Sequence, residues 1–513
     1  MSGLWLPVMR KTHSGNGYSP FTLGRPTFPK IIHALQEPAF DIGPLIARAV
    51  SAESEEQDDH EGDDEADHDP LDDARDEPPA PLLGLDQGHP FPPPKQLDPL
   101  PPVTANPKPA AILKPAASPK PRPGPQRSSM KAEKVAKAAE KAQKVRTASH
   151  NRRRAKHARD LTTHGHLPSP ATVSAIVRPA APLRTELNAS ALPTAFGAYS
   201  GKLEDKVEKR GSKVRRSVAD LIGLGFQLVK WDGITPRPLL DKNGRIIAVL
   251  AGRPNHAKYL ESANFAFRTI RDAGAAENFP AAMRHHRRGL FAAMNVGLFY
   301  GKGQRFPCWL NNKGYTTLAD GLLGDCHIQR LACFADAAFA LWAPRLYRYY
   351  RDNDAGLRRH MSFRRPFVGS IFACAAFNFG PNVWTFKHRD VLNLAFGWCA
   401  VNALGEFDAT TGGHLVLEDL KLVVEFPHGT LILLPSATVA HSNVPVQAGE
   451  ERVSFTQFTP GGIFRFVDNG GQTVDELAER NPSEYDRIMA RKAARWEEGL
   501  SLLSTLDELL PEE

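Results

Sequence analysis

From Pro366 onward the chain breaks into short apolar runs separated by turn residues, and this texture restricts the fold more than any other feature. The runs are Phe367–Asn378, Asn393–Val401, His414–Leu417, Leu420–Phe426, Thr430–Leu434 and Arg452–Thr459. Glycine or proline interrupts them at Gly380-Pro381, Gly405, Gly412-Gly413, Pro427, Gly429, Pro435 and Gly449. Evenly spaced short strands predict a sandwich or double-sheet jelly roll, not alternating βαβ units.

Upstream the pattern is mixed. Gly225–Trp231 reads as a strand, and Pro238–Leu240 and Arg245–Leu250 flank Asn243-Gly244, a strong hairpin signal. Helical patterns follow at 257–273, 281–294 and 325–342, and Pro344 opens a further turn through Tyr350. The expected class is therefore α+β. The tail from Thr473 is helical in pattern, with Leu500, Leu503, Leu506 and Leu510 at helical spacing, a stripe read as packing in preference to a partner contact.

The first part of the chain cannot fold in the same way. Its prolines, 43 in the whole sequence, cluster early. Between Glu53 and Glu77 stand fifteen Asp or Glu and one Arg; between Lys131 and Arg159 stand eleven Lys or Arg and two Glu. Such blocks bury too little to offset chain entropy and act as interaction segments. The helix-favouring run 131–145, followed by Arg152-Arg153-Arg154-Ala155-Lys156, is consistent with a nuclear-import signal, a phosphate-binding arm or a solvated linker; the arginine cluster favours the nucleus. The acidic block 53–77 is a candidate protein-partner segment. Five cysteines without Cys-x-x-Cys spacing, no run approaching ~20 apolar residues, and no signal-like start lead to the expectation of a soluble intracellular protein with no membrane contact.

The candidate chemistry lies in Lys387-His388-Arg389-Asp390, with His441 51 residues after Asp390 and Arg452 another 11 on. On an extended segment His388 and Asp390 share a side. Two imidazoles and one carboxylate cap one face of a ferrous ion and leave the other positions open. Arg452 opens a strand on which Arg452, Ser454 and Thr456 share one face, as a grip on a dicarboxylate such as 2-oxoglutarate requires. A kinase catalytic loop also carries His-Arg-Asp, but it needs an Asn where Ala395 stands, and no glycine-rich loop precedes it. His414 and His428 stand beside glycine turns and are read as structural. Arg284, His285, His286, Arg287 and Arg288 are read as a charged helix face able to meet phosphate or, more simply, solvated.

The run from about Gly225 to Asp468 resembles the TET/JBP family of 2-oxoglutarate oxygenases, which oxidise methylated pyrimidine bases in nucleic acid. The resemblance is carried by Phe377–Pro381 through His388–Asn393, by His441, by Arg452-Val453-Ser454, and by Pro238–Pro254 before the core. It implies Fe(II) on His388, Asp390 and His441, 2-oxoglutarate on Arg452 and Ser454, O2 as co-substrate, and Asn393 against the target base. It also implies 5-methylcytosine or a related base as substrate, and DNA as the partner of the cleft and of the basic segment 131–159. No cysteine-rich zinc module precedes the core, and Leu392 stands where some members carry a polar residue. The expected organisation is a segment 1–50 without assigned role and a disordered region 51–194. A dioxygenase-like domain follows at 195–470, with a jelly-roll core about 366–467, and then a helical tail 471–513. Two rival readings are a protein or small-molecule hydroxylase and an inert nucleic-acid- or chromatin-binding protein on the same fold.

Overall fold

A computed structural model describes residues 165–202 and 213–510, except 302 and 313, with a few short pieces upstream. The acidic block 53–77 lies outside the described residues, and so does most of the basic segment, of which 144–149 is helical. The chain divides into one unit formed by 1–75 with 160–513 and another formed by 76–159.

From residue 165 onward the strands run β1 (Leu183–Arg184), β2 (Gln227–Val229), β3 (Arg237–Leu240), β4 (Ile246–Gly252), β5 (Ala293–Phe299), β6 (Cys308–Trp309) and β7 (Cys374–Asn378). They continue as β8 (Cys399–Glu406), β9 (Leu415–Leu417), β10 (Leu422–Val424), β11 (Leu431–Leu434), β12 (His441–Asn443) and β13 (Glu451–Phe458). The larger sheet has the order β1-β3-β4-β11-β8-β13-β7-β5-β6 and the smaller β12-β9-β10-β2. All neighbours are antiparallel except β1 with β3 and β10 with β2. The Asn243-Gly244 turn joins β3 to β4 as its chemistry requires. Asp241 Oδ1 accepts from the backbone N–H groups of Asn243 and Arg245, both at 2.9 Å, and Gly244 takes φ +80°.

Strand β13 sorts its side chains to two destinations. Val453 and Phe455 pack with Tyr259, Phe267 and Ile270 of α1 (Ala257–Ala276) and with Ile328 and Leu331 of α2 (Cys326–Trp342). The alternate residues, Arg452 and Ser454, are buried on the opposite side. Another core joins Leu431–Leu434 of the large sheet to Leu415, Leu417, Leu422 and Val424 of the small one. Helix α2 begins where Asp325 caps it, its carboxylate accepting from the N–H of His327 and Ile328 at 2.9 and 2.8 Å. Helix α3 (Pro344–His360) runs well beyond Tyr350.

Several expectations are corrected. Helix 281–294 shrinks to Ala281–Arg284, and 293–299 is strand β5, paired with β6 and β7. A short apolar run fits a buried helix or a buried strand equally well, and pairing on both edges decides it here. A Cβ at Gly297, φ +127°, would stand 2.3 Å from the Ala373 carbonyl oxygen, so the strand needs glycine there. The expected boundary near 195 falls too late, because β1 pairs with β3 and Val177 is buried against the main core. The leucine stripe after 471 packs as expected: Leu500, Leu503 and Leu509 belong to that core, with Leu506 and Leu510 against it.

Candidate metal centre and adjoining cavity

His388 and His441 face each other across an isolated antiparallel bridge. Each backbone N–H donates to the other's carbonyl, at 3.0 Å from His388 and 2.9 Å from His441. Asp390 is fixed by its N–H donating to the Ser436 carbonyl at 2.8 Å. The long gap in sequence thus closes through backbone pairing. His388, Asp390 and His441 offer ligand atoms that all lie within 4.8 Å of one another.

The geometry suits a cation. His388 Nδ1 is 2.8 Å from the Phe386 carbonyl and His441 Nδ1 is 3.0 Å from the Val439 carbonyl. With each Nδ1–H donating there, each Nε2 keeps a lone pair for a metal, the usual arrangement behind a ligating histidine. Those Nε2 atoms stand 3.8 and 3.9 Å from the Asp390 oxygens, too far to hydrogen-bond and well spaced around an ion. Burial, helped by His441 and the nearby arginines, holds His388 well below the usual imidazole range and therefore neutral. Burial also raises Asp390, but His388, His441, Arg288 and Arg287 outweigh it and hold the carboxyl at about 2. A neutral imidazole at His388 and an ionised carboxylate at Asp390 are protonation states a divalent ion needs.

Arg452 is 1% exposed. Its Nη1 donates to the Val383 carbonyl at 2.9 Å, while its Nε is buried with no partner among the described residues. The guanidinium lies between the rings of Phe407 and Phe426, about 6 Å from each centroid. Burial lowers it to about 10, still charged at neutral pH. A buried cation with an unused donor is costly unless an anion arrives, and a carboxylate meets that requirement. Ser454, two residues along the same face, accepts from Asn378 Nδ2 at 2.8 Å.

A small cavity open to solvent adjoins the metal group, walled by Arg287, Arg288, Asn295, Asp390, Asn393 and Thr456 with apolar patches from Ala376, Leu392 and Phe458. Asn393 is buried; its Nδ2 donates to Ser436 Oγ at 3.0 Å, which leaves its carbonyl oxygen for another partner. The Asn295 Oδ1 is buried without a hydrogen-bond partner among the described residues.

The sequence-level candidates therefore fall into place unevenly. His388, Asp390 and His441 come together, Arg452 and Ser454 share a buried face, and Asn393 borders the cavity. The arginine–histidine cluster is not a helix face. It is a tight turn in which His286 and Gly289 pair, and Arg287 and Arg288 project to the cavity wall. His414 and His428 are outside the metal group. His428 Nδ1 accepts from the Gly405 N–H at 2.9 Å, and both ring nitrogens of His414 are buried without hydrogen-bond partners among the described residues. Asn295 and Asn378 escaped the sequence reading, although a lone amide inside an otherwise apolar strand was a usable signal.

No family model matches the chain, and no curated protein matches it. Solved structures similar to it include NgTET1 in complex with 5mC DNA, at 12% identity over 50% of this chain and 92% of that one, with a TM-score of 0.33. An oxidoreductase of the 2OG-Fe(II) oxygenase family from Burkholderia pseudomallei is 19% identical over 41% and 93%, with a TM-score of 0.23. A viral collagen prolyl hydroxylase from Paramecium Bursaria Chlorella virus-1, in its 2OG complex, is 15% identical over 22% and 67%, with a TM-score of 0.15.

Proposed function

We propose that this chain is an Fe(II)- and 2-oxoglutarate-dependent dioxygenase with a double-stranded β-helix core that oxidises the methyl group of 5-methylcytosine, or of a related methylated pyrimidine, in nucleic acid. The observation that carries the reading is the pairing of the His388–Asp390–His441 group with a fully buried Arg452 whose Nε lacks a partner. Bound Fe(II), with 2-oxoglutarate and O2, supplies the oxidising chemistry that turns the co-substrate into succinate and CO2 and inserts an oxygen atom into a C–H bond.

The protein's own residues bind, orient and shield. His388, Asp390 and His441 would hold the ion. Arg452 and Ser454 hold the far carboxylate of 2-oxoglutarate. Asn393 offers its amide oxygen to the edge of a base seated in the cavity, with Leu392 and Phe458 against the ring. A base inside a duplex cannot reach Asp390, so the target nucleotide must swing out of the stack. The basic segment 131–159 adds salt-sensitive, sequence-independent affinity, and its arginine cluster directs the protein to the nucleus.

The test is to supply the full chain with iron and 2-oxoglutarate and offer methylated DNA, unmethylated DNA or peptide. Succinate and oxidised cytosine form only with methylated DNA and vanish in Asp390→Ala. A metal-loaded protein that leaves methylcytosine untouched, or that hydroxylates the peptide instead, defeats the reading. No helix among the described residues is long and apolar enough to cross a membrane.

A further inference from the structure

We propose that the turn His286-Arg287-Arg288-Gly289 is an anion clamp that grips a backbone phosphodiester next to the target nucleotide, with Arg288 as the specificity-determining contact. The proposal rests on the nucleic-acid reading above and deepens it. The turn is rigid. His286 and Gly289 exchange backbone hydrogen bonds at 3.1 and 3.0 Å, and the ring of buried His286 packs edge-on against Phe291, with Nε2 3.0 Å from its carbonyl. A Cβ at Gly289 would stand 2.2 Å from the Phe291 ring and 2.9 Å from the Trp384 carbonyl oxygen, so only glycine fits that close approach. The turn is tied to the metal loop by the Phe386 N–H donating to the Arg288 carbonyl at 2.8 Å and by Arg287 Nη1 donating to the Arg389 carbonyl at 3.2 Å. Arg287 and Arg288 both line the cavity that opens on Asp390 and Asn393.

Arg288 asks for a partner. Its Nη2 is buried and makes no hydrogen bond among the described residues. Asp390 shares the cavity wall, but a metal claims that carboxylate. A divalent cation, Asp390, a dicarboxylate co-substrate and Arg452 already cancel in charge, so the Arg288 guanidinium remains as surplus positive charge facing the substrate side. A planar fork with a free donor suits a phosphate, which accepts two parallel N–H groups. An uncharged base or an unmodified peptide offers nothing of that kind. The cavity's own amides and apolar patches suit the base, and the turn at its rim suits the linkage beside it.

The experiment compares the full-length protein with Arg288→Gln in binding a short single-stranded DNA carrying one 5-methylcytosine. The same oligonucleotide is then made with neutral methylphosphonate linkages flanking that nucleotide. Expected is a roughly tenfold weaker grip on the natural oligonucleotide in the variant, a salt slope reduced by about one, and no difference between the two proteins on the methylphosphonate form. Equal binding of the natural oligonucleotide by both proteins overturns the clamp. So does an equal loss on both backbones, which indicates a structural role. An acidic peptide that displaces the oligonucleotide as well as free DNA does also overturns it, by assigning the turn to a protein partner. Mn(II) binding measured on the same samples reports on the proposed function separately: a protein that discriminates the two backbones but holds no metal loses that function and keeps the clamp.

Discussion

Arg389 and Asp419 are joined by a salt bridge of 2.8 Å that latches the two halves of the candidate metal centre together. Arg389 sits between the proximal ligands, and its Nε also donates to the Thr438 carbonyl at 3.0 Å. The other oxygen of Asp419 accepts from the N–H of Ala440, next to His441, at 2.6 Å. One carboxylate on the loop after β9 thus spans the loop of His388 and Asp390 and the loop of His441.

Asp419→Ala should loosen the metal without touching a ligand. The expected loss in metal affinity is about 10- to 100-fold, typical when groups behind the ligands are removed. Titration with Mn(II) under anaerobic conditions measures it. An affinity equal to wild type shows that the bridge is ornamental.

Arg452→Met separates stability from co-substrate binding. Without 2-oxoglutarate the variant should melt no lower than wild type, because a buried guanidinium with an unused donor is exchanged for a shape-matched apolar chain. With Mn(II) and 2-oxoglutarate at 100 times the wild-type dissociation constant, the wild type gains about 2.7 kcal/mol and the variant almost nothing. A variant stabilised as strongly as wild type removes Arg452 from the co-substrate site.

Asp336 sets a pH dependence away from the site. Burial raises its carboxyl to about 6, against hydrogen bonds from the Ile371 N–H and the Tyr347 hydroxyl, both at 2.7 Å, and against Arg365 and Arg351. His166 Nε2 lies 3.6 Å away. The folded state holds the proton more tightly than the unfolded chain. Stability from this group is therefore fullest below about pH 4 and is lost as pH rises to about 6, by an amount on the order of 3 kcal/mol. Asp336→Asn should flatten that part of the difference between unfolding curves measured at pH 4 and pH 7. An unchanged difference refutes the assignment.

Leu500→Ala tests whether the C-terminal helices belong to the fold. Leu500 is 2% exposed within the main core, and nearby Arg495 pairs with Asp468 at 2.8 Å and stacks 3.9 Å over Tyr199. Truncating a buried leucine costs about 2–5 kcal/mol, visible as an earlier denaturant midpoint. A shift under about 0.5 kcal/mol, the size expected at a surface site, marks the segment as peripheral.

Local rules made much of this legible. The hairpin at Asn243-Gly244 follows from turn chemistry, and the shared face of Arg452 and Ser454 from strand period. The spacing of His388, Asp390 and His441 marked a candidate ligand set because residue type and interval are themselves chemical information. Strand β5 was not legible, since its apolar run carries no period that separates helix from strand. The arginine turn was misread for a related reason: an Ala/Met/Arg-rich run has helical propensity until a glycine held between Phe291 and Trp384 forces it to bend back.

The chain by itself determined which residues were able to ligate, grip or cap, because those capacities belong to side-chain chemistry and short-range geometry. The tertiary structure alone decided that His388 faces His441, that Asp419 reaches both loops, and that Arg288 stands at the cavity wall. Each of these depends on backbone pairing or packing between segments tens of residues apart, and no periodicity along the chain records which distant segments will meet.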